Sequence, residues 1–87
     1  MSDVGRVAVS LAGHDAGRRY LAVGEENGFV LLANGKQRRL SNPKRKKKKH
    51  IRWLSENIRT DPDGMTDRRL RRWLNALSEA ADPQTVS

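Results

Sequence analysis

The sequence has no cysteine, few aromatic residues and no long hydrophobic run. Without cysteine the chain cannot form a disulfide or a thiolate metal site. The longest apolar run, residues 29–33, has five members, whereas a membrane-spanning helix needs about 20. The first residues also lack the basic and apolar regions of a signal peptide. We therefore expect a cytoplasmic protein that does not span a membrane.

The chain also lacks the residue groupings that support catalysis. Its 87 residues suffice for one small domain with an appendage. The two histidines lie in basic or loop settings, and no nucleophile stands beside a base. Asp61-Pro62-Asp63-Gly64 has the first spacing of a calcium loop without its other ligands, so we predict a turn there. We expect neither an enzyme nor a bound metal or cofactor.

Positive charge is abundant and is concentrated in one short stretch. Lys and Arg number 18 against 10 Asp and Glu, which gives a formal net charge of +8 at pH 7. Residues 44–52, here called the lysine tract, contain most of this excess, with seven basic residues and no acidic one. Such a localised charge is typical of proteins that bind polyanions.

The lysine tract has two interpretations. As a disordered, solvated joint, it would bind nothing specific. As a binding segment, it would neutralise about five to seven phosphates, and affinity would fall ~10³-fold or more between low and physiological salt. Lysine lacks the planar fork of arginine, so we expect the tract to hold a nucleic-acid backbone and not to read bases.

The first 43 residues have the pattern of a small, strongly bent β-barrel. Apolar alternation and β-rich runs predict strands at residues 4–11, 19–23, 29–33 and 36–40. Asn27-Gly28 and Asn34-Gly35 separate the later runs and are typical of tight hairpin turns. Strands this short and few favour a barrel over a sandwich. A fifth strand would come from around residues 50–54 or be absent.

The C-terminal part is predicted to be helical. Apolar spacing predicts one helix over about residues 43–60 and a second that Thr66 caps. The apolar stripe of the second helix is expected to pack on the first helix or on the barrel; a partner's groove or an anionic membrane are alternatives. The predicted divisions are a barrel at 1–43, the lysine tract at 44–52, a helical region at 53–80 and a disordered tail at 81–87.

Arginine and tryptophan residues of this C-terminal part have two possible roles each. Arg68, Arg69, Arg71 and Arg72 fill the polar positions of the second helix and could add phosphate contacts. Trp53 and Trp73 could stack on unpaired bases, but in so small a core we expect them to pack.

Residues 4–18 resemble the KOW motif. They join a predicted strand to the loop Ala12-Gly13-His14-Asp15-Ala16-Gly17-Arg18, which without any family would be interpreted as a turn in which Asp15 caps its own backbone. The resemblance continues to about residue 50 and is to small bacterial KOW-domain RNA-binding proteins related to the L-fourteen-e group of large-subunit ribosomal proteins. It implies an SH3-like β-barrel whose first loop and adjoining strand surfaces contact RNA or proteins.

The resemblance also implies residue roles. Gly13 and Gly17 would shape the first loop, and His14 and Arg18 would face RNA from it. Independently of the resemblance, strand alternation places Arg38 and Arg39 on opposite faces of a predicted strand, so we expect only one of them to bind RNA. The candidate RNA-binding residues are Gly13, His14, Gly17, Arg18, Arg19, Arg38, Arg39, Lys44, Arg45, Lys46, Lys47, Lys48, Lys49 and Arg52.

The leading hypothesis is a non-enzymatic RNA-binding protein that associates with ribosomal RNA in translation. In it the barrel loop recognises RNA shape and the lysine tract binds phosphates; ribosomal proteins are further possible partners. The alternative is a protein-interaction or transcription-associated KOW module. Duplex DNA binding is a third possibility, disfavoured because no helix-turn-helix pattern is present.

Overall fold

The computed structural model describes residues 2–80, with side chains described through residue 77. The fold is mainly β: a five-stranded antiparallel sheet is followed by one α-helix. The elements are β1 (Val7–Ser10), β2 (Arg19–Glu26), β3 (Phe29–Ala33), β4 (Lys44–Lys47), a 3₁₀ turn (Lys48–His50), β5 (Ile51–Trp53) and α1 (Asp67–Ala80). None of the described residues belongs to a helix long and apolar enough to cross a bilayer. The predicted disordered tail, residues 81–87, lies outside the described residues.

The strands lie in the order β4-β3-β2-β1-β5, so the first strand pairs with both the second and the last. Within residues 2–80 no hydrogen-bonded pairing joins the two edge strands, and the sheet does not close into the predicted barrel. The β2–β3 pair contains a register shift between Ala22 and Gly24, which bends it. At its turn Asn27 and Gly28 have φ values of 40° and 85°, which confirms the tight turn expected from this Asn-Gly pair.

The predicted strand at residues 36–40 is wrong. The side-chain oxygen of Asn34 accepts hydrogen bonds from the backbone N–H groups of Lys36 and Arg38, at 3.0 Å each. Such local bonds compete with a strand ladder, and residues 34–42 form a loop. The fourth strand is β4, inside the lysine tract.

The predicted helix over residues 43–60 is also wrong. Residues 44–47 pair with β3, and Ile51 pairs with Ser10 of β1. Cross-strand pairing therefore overrides the helical spacing of Ile51, Leu54 and Ile58, whose side chains join two different hydrophobic clusters. The lysine tract is part of the sheet and not a linker, and β5 is the fifth strand that the sequence left open.

Both faces of the sheet are covered, which explains why every residue of β1 is buried. Ala8 belongs to a cluster with Tyr20 and Ile51, against which Trp53 packs. On the opposite face, Val7 packs with residues of α1. That second cluster comprises Val7, Leu21, Ala33, Leu70 and Leu74, with Trp73 and Leu77 at its margin. The predicted packing of the helical stripe on the β domain is confirmed, as is the packing role of both tryptophans.

Helix α1 is attached at its N-terminal half. The hydroxyl of Thr66 accepts a 3.2 Å hydrogen bond from the N–H of Arg69, which confirms the predicted cap. The Asp67 carboxylate accepts a 2.8 Å bond from the N–H of Leu40, and Arg71 donates a 2.8 Å bond to the Gly35 carbonyl. These bonds fix α1 against the 34–42 loop.

Candidate nucleic-acid interface

Strand pairing divides the lysine tract into two sets of side chains. In β4 the residues Lys44 and Lys46 lie opposite Leu32 and Val30, whose side chains are fully buried. Arg45 and Lys47 project from the other face because side chains alternate along a strand. Half of β4 therefore faces the protein interior.

A buried carboxylate receives the inward lysines. The Asp15 carboxylate is 4% exposed and lies 2.9 Å from the ammonium groups of both Lys44 and Lys46. Lys46, 10% exposed, also donates to the Ser10 hydroxyl at 2.6 Å and the Ala12 carbonyl at 2.8 Å. We call Asp15, Ser10, Tyr20, Lys44 and Lys46 the Asp15 cluster.

The hydrogen bonds of the Asp15 cluster favour the ionised form of its carboxyl group. Burial raises the pKa of Asp15, but hydrogen bonds from Lys46, Lys44, Ser10 and Tyr20 outweigh burial and leave that pKa far below its ordinary value. The Tyr20 hydroxyl donates to the carboxylate at 2.9 Å, and burial raises the pKa of that phenol. The carboxylate thus binds side chains from three strands, a larger role than the predicted cap of its own backbone. Lys44 and Lys46, both predicted to bind RNA, are ion-paired inside the protein.

Two further basic residues of the tract have acidic partners. The ammonium of Lys48 lies 2.9 Å from the Glu25 carboxylate and 3.6 Å from that of Asp3. Hydrogen bonds from Ser2, Lys48 and the Asp3 backbone lower the pKa of Glu25 to about 2. Arg45 lies 3.5 Å from Glu26, and its guanidinium stacks 4.0 Å from the centre of the Phe29 ring.

The remaining basic residues of the tract are available to a ligand. Lys47, Lys49 and Arg52 are exposed. Within residues 2–80 these three side chains take part in no hydrogen bond or ion pair. Lys47 is on the outward side of β4, Lys49 is in the 3₁₀ turn, and Arg52 is on β5. Three of the seven tract cations therefore retain an unneutralised charge.

A second basic surface forms where three separate segments meet. The end of the β1–β2 loop, the 34–42 loop and α1 enclose an open cleft of about 810 Å³. We call this the arginine cleft; its basic residues are Arg18, Arg19, Lys36, Arg68, Arg71 and Arg72. Asn34, Gln37 and Asn75 add amide groups, and none of the described residues that line the cleft is acidic.

The first loop places Gly17, Arg18 and Arg19 at this cleft. Gly17 has a φ of 88°. Its N–H donates a 2.8 Å hydrogen bond to the Ser10 carbonyl, and the carbonyl of Arg18 accepts a 3.0 Å hydrogen bond from the Ser10 N–H. Two loop residues therefore oppose one residue of β1, as in a glycine-containing bulge. The Asp15 cluster ties the middle of the same loop to β4, so the loop has one defined path.

The structure brings together some of the predicted residues and separates others. Arg19 and Arg52 flank Val9 from opposite neighbouring strands, but Arg52 does not line the cleft. Gly13 and His14 are exposed on the loop but do not line the cleft. Arg38 and Arg39 also lie outside it, and since no strand forms there, the expected alternation of their side chains does not apply.

Lys36 was not among the candidate residues, and the helical arginines were predicted only as possible additional phosphate contacts. The sequence places Arg68, Arg71 and Arg72 on a helix, but whether they lie near the first loop depends on how α1 packs. The surface can hold a polyanion, because arginine forks form paired hydrogen bonds with phosphate oxygens. Within the described residues, no group of His, Asp or Glu side chains could hold a metal ion. A search with the sequence matched no protein-family model and no curated protein.

Proposed function

We propose that this chain is a non-enzymatic RNA-binding protein that associates with ribosomal RNA. The observation that carries the proposal is the arginine cleft, where Arg18, Lys36 and the arginines of α1 converge from three segments with no acidic residue among the described lining. Cations gathered in this way repel one another unless a polyanion neutralises them. Helix α1 and the first loop are then two halves of one phosphate-binding surface.

The chemistry of the lining favours nucleic acid over a small anion. The cleft is open and extended, and three amide side chains lie among its arginines. Guanidinium groups would position the backbone, while amides can contact ribose hydroxyls and base edges. Lys47, Lys49 and Arg52 extend the positive surface beyond the cleft.

The resemblance to KOW proteins supports RNA as the nucleic acid. We propose an SH3-like identity for the sheet, because the pairing of β1 with both β2 and β5 brings the first and last strands together, as a small bent barrel requires. The first loop, which carries the KOW resemblance, supplies Gly17, Arg18 and Arg19 to the cleft. Ribosomal RNA is the target that this resemblance implies.

Two arginines of α1 provide a matched test. Arg72 lines the cleft, whereas Arg69 is exposed on the same helix and does not. We expect R72Q to weaken binding to a labelled structured ribosomal RNA fragment and to reduce the slope of log affinity against log salt by about 0.7–0.9, while R69Q changes neither. Fluorescence anisotropy over a salt series measures both. Equal effects of the two variants would remove the cleft from the proposal.

Sedimentation of cell lysate tests the ribosomal target. In a low-salt sucrose gradient we expect the protein to migrate with the large subunit, and in high salt to return to the top because phosphate contacts are screened. Retention at the top in both gradients would contradict ribosome association and favour the protein-interaction alternative. Competition with duplex DNA completes the test, since DNA and structured RNA should not displace the probe equally.

A further inference from the structure

Leu11 is a large hydrophobic residue that the fold leaves in solvent. Leu11 is 54% exposed, and the other large hydrophobic residues among those described are buried or half-buried. Its backbone N–H donates a 2.9 Å hydrogen bond to the His50 carbonyl, so the β1–β5 ladder holds the residue in place. An isolated exposed leucine needs no explanation by itself. The position of Leu11 among cationic side chains is what suggests a ligand.

Leu11 is uncovered because the packed surface ends just before it. Alternation along β1 places it on the same face as Val7 and Val9. Helix α1 covers Val7 through Leu70 and Leu74. On the β2 side the regular pairing ends with Val9 and Arg19, and the bulge at Gly17 follows. Leu11 therefore lies beyond the part of β1 that α1 covers.

Cations flank this apolar position. Arg19 and Arg52 lie on either side of Val9, about 10 Å apart at two strand spacings. Lys49, with no ion pair among the described residues, precedes His50 in the 3₁₀ turn. His50 is half-buried, and its backbone carbonyl accepts the hydrogen bond from Leu11. An apolar contact thus lies between phosphate-binding groups.

We infer that Leu11 and His50 form a platform for one unpaired nucleotide of the bound RNA, with a neighbouring phosphate on Arg52. This inference rests on the proposed function and names the part of the RNA that binds. A paired duplex presents phosphates and base edges, whereas an unpaired base presents an apolar face that packs on a side chain. A hydrophobic contact between cations fits the second kind of ligand.

The test compares two RNA probes that contain equal numbers of nucleotides. One is a hairpin with an unpaired loop, and the other is a fully paired duplex. We expect Leu11→Ser to weaken hairpin binding about fivefold or more and duplex binding less than about twofold, because only the unpaired base loses its contact. Leu11→Met, which keeps an apolar side chain, should retain hairpin affinity. The melting temperatures of both variants should match that of the wild type, since Leu11 is exposed.

The possible outcomes separate the two proposals. Selective loss of hairpin binding by Leu11→Ser, with rescue by Leu11→Met, would support the platform. Unchanged hairpin affinity in Leu11→Ser, or equal loss on both probes, would overturn the platform while RNA binding by the wild type still stood. If the wild-type protein bound neither probe, both the proposed function and the platform would fail.

Discussion

The lysine tract and the arginine cleft are both basic, but they differ in how much of their charge is neutralised. The tract has seven cations in nine consecutive residues, yet Asp15, Glu25 and Glu26 lie against four of them. The cleft draws six cations from three distant segments, and none of its described lining residues is acidic. The acidic side chains that the structure describes therefore lie against the tract and not in the lining of the cleft.

This difference shows that the positions of the acidic side chains decide which cations are ion-paired within the fold. Asp15 is one of only four acidic residues in the first 43, and the fold places its carboxylate against two lysines that are about 30 positions away. Ion pairs with a buried carboxylate are screened far less than surface pairs. Lys44 and Lys46 therefore stabilise the fold through Asp15.

The largest expected effect comes from breaking the Asp15 cluster. Asp15→Asn keeps the side-chain shape but leaves the ammonium of Lys46, 10% exposed, without its counter-charge. Breaking a buried ion pair in this way typically costs about 3–5 kcal/mol. Urea denaturation followed by tryptophan fluorescence measures the loss. In contrast, Glu26→Gln removes the exposed partner of Arg45 and should cost less than about 1 kcal/mol.

A double variant tests whether the stranded ammonium causes that loss. In D15N/K46M the more buried of the two ammonium groups is gone and only Lys44, 30% exposed, lacks its counter-charge, so we expect part of the lost stability to return. If D15N and E26Q destabilised the protein equally, the tract would be a solvated charge run, and its contrast with the cleft would disappear.

Sequence reasoning succeeded where local signals and tertiary packing agree. It identified both ends of β3, the Asn27-Gly28 turn and the Thr66 cap because each depends on neighbouring residues. It failed for the lysine tract because the helical spacing of Ile51, Leu54 and Ile58 competes with pairing to β1 and β3, which are far away in sequence. Lysine-rich edge strands also carry a weak β signal.

The cleft could not be predicted because its assembly depends on one approach between backbones. Gly35 has a φ of 76°, and a Cβ at this position would collide with the Asp67 backbone of α1. This contact brings the helical arginines beside the 34–42 loop. The Asn34-Gly35 pair suggested a hairpin, but nothing nearby in the sequence indicated that a helix would lie against its glycine.

The second prediction uses that contact to remove the cleft and leave the tract. Gly35→Ala should destabilise the protein by more than about 2 kcal/mol, since a left-handed conformation costs an alanine about 1–2 kcal/mol and α1 must also shift. Gly28→Ala is a matched control, because Gly28 has a φ of 85° but open space around it. Only Gly35→Ala should weaken RNA binding, and R72Q should have no further effect in that background. Retained cleft binding by Gly35→Ala would show that α1 is not part of the site.

The smallest expected effect compares two adjacent lysines within the tract. Lys48 is 2.9 Å from Glu25, whereas Lys49 is exposed and has no ion pair among the described residues. Substituting the whole tract at once would also leave the Asp15 carboxylate without its two lysine partners. Lost binding could then not be distinguished from unfolding, so single variants are required. Lys49→Gln should lower the salt slope of RNA binding by about 0.7–0.9, because one phosphate contact is lost. Lys48→Gln should change the slope by less, because Glu25 already holds that ammonium. Equal slopes for the two variants in anisotropy titrations would mean that RNA displaces Glu25 from Lys48, and that the acids of the tract do not decide which of its lysines bind.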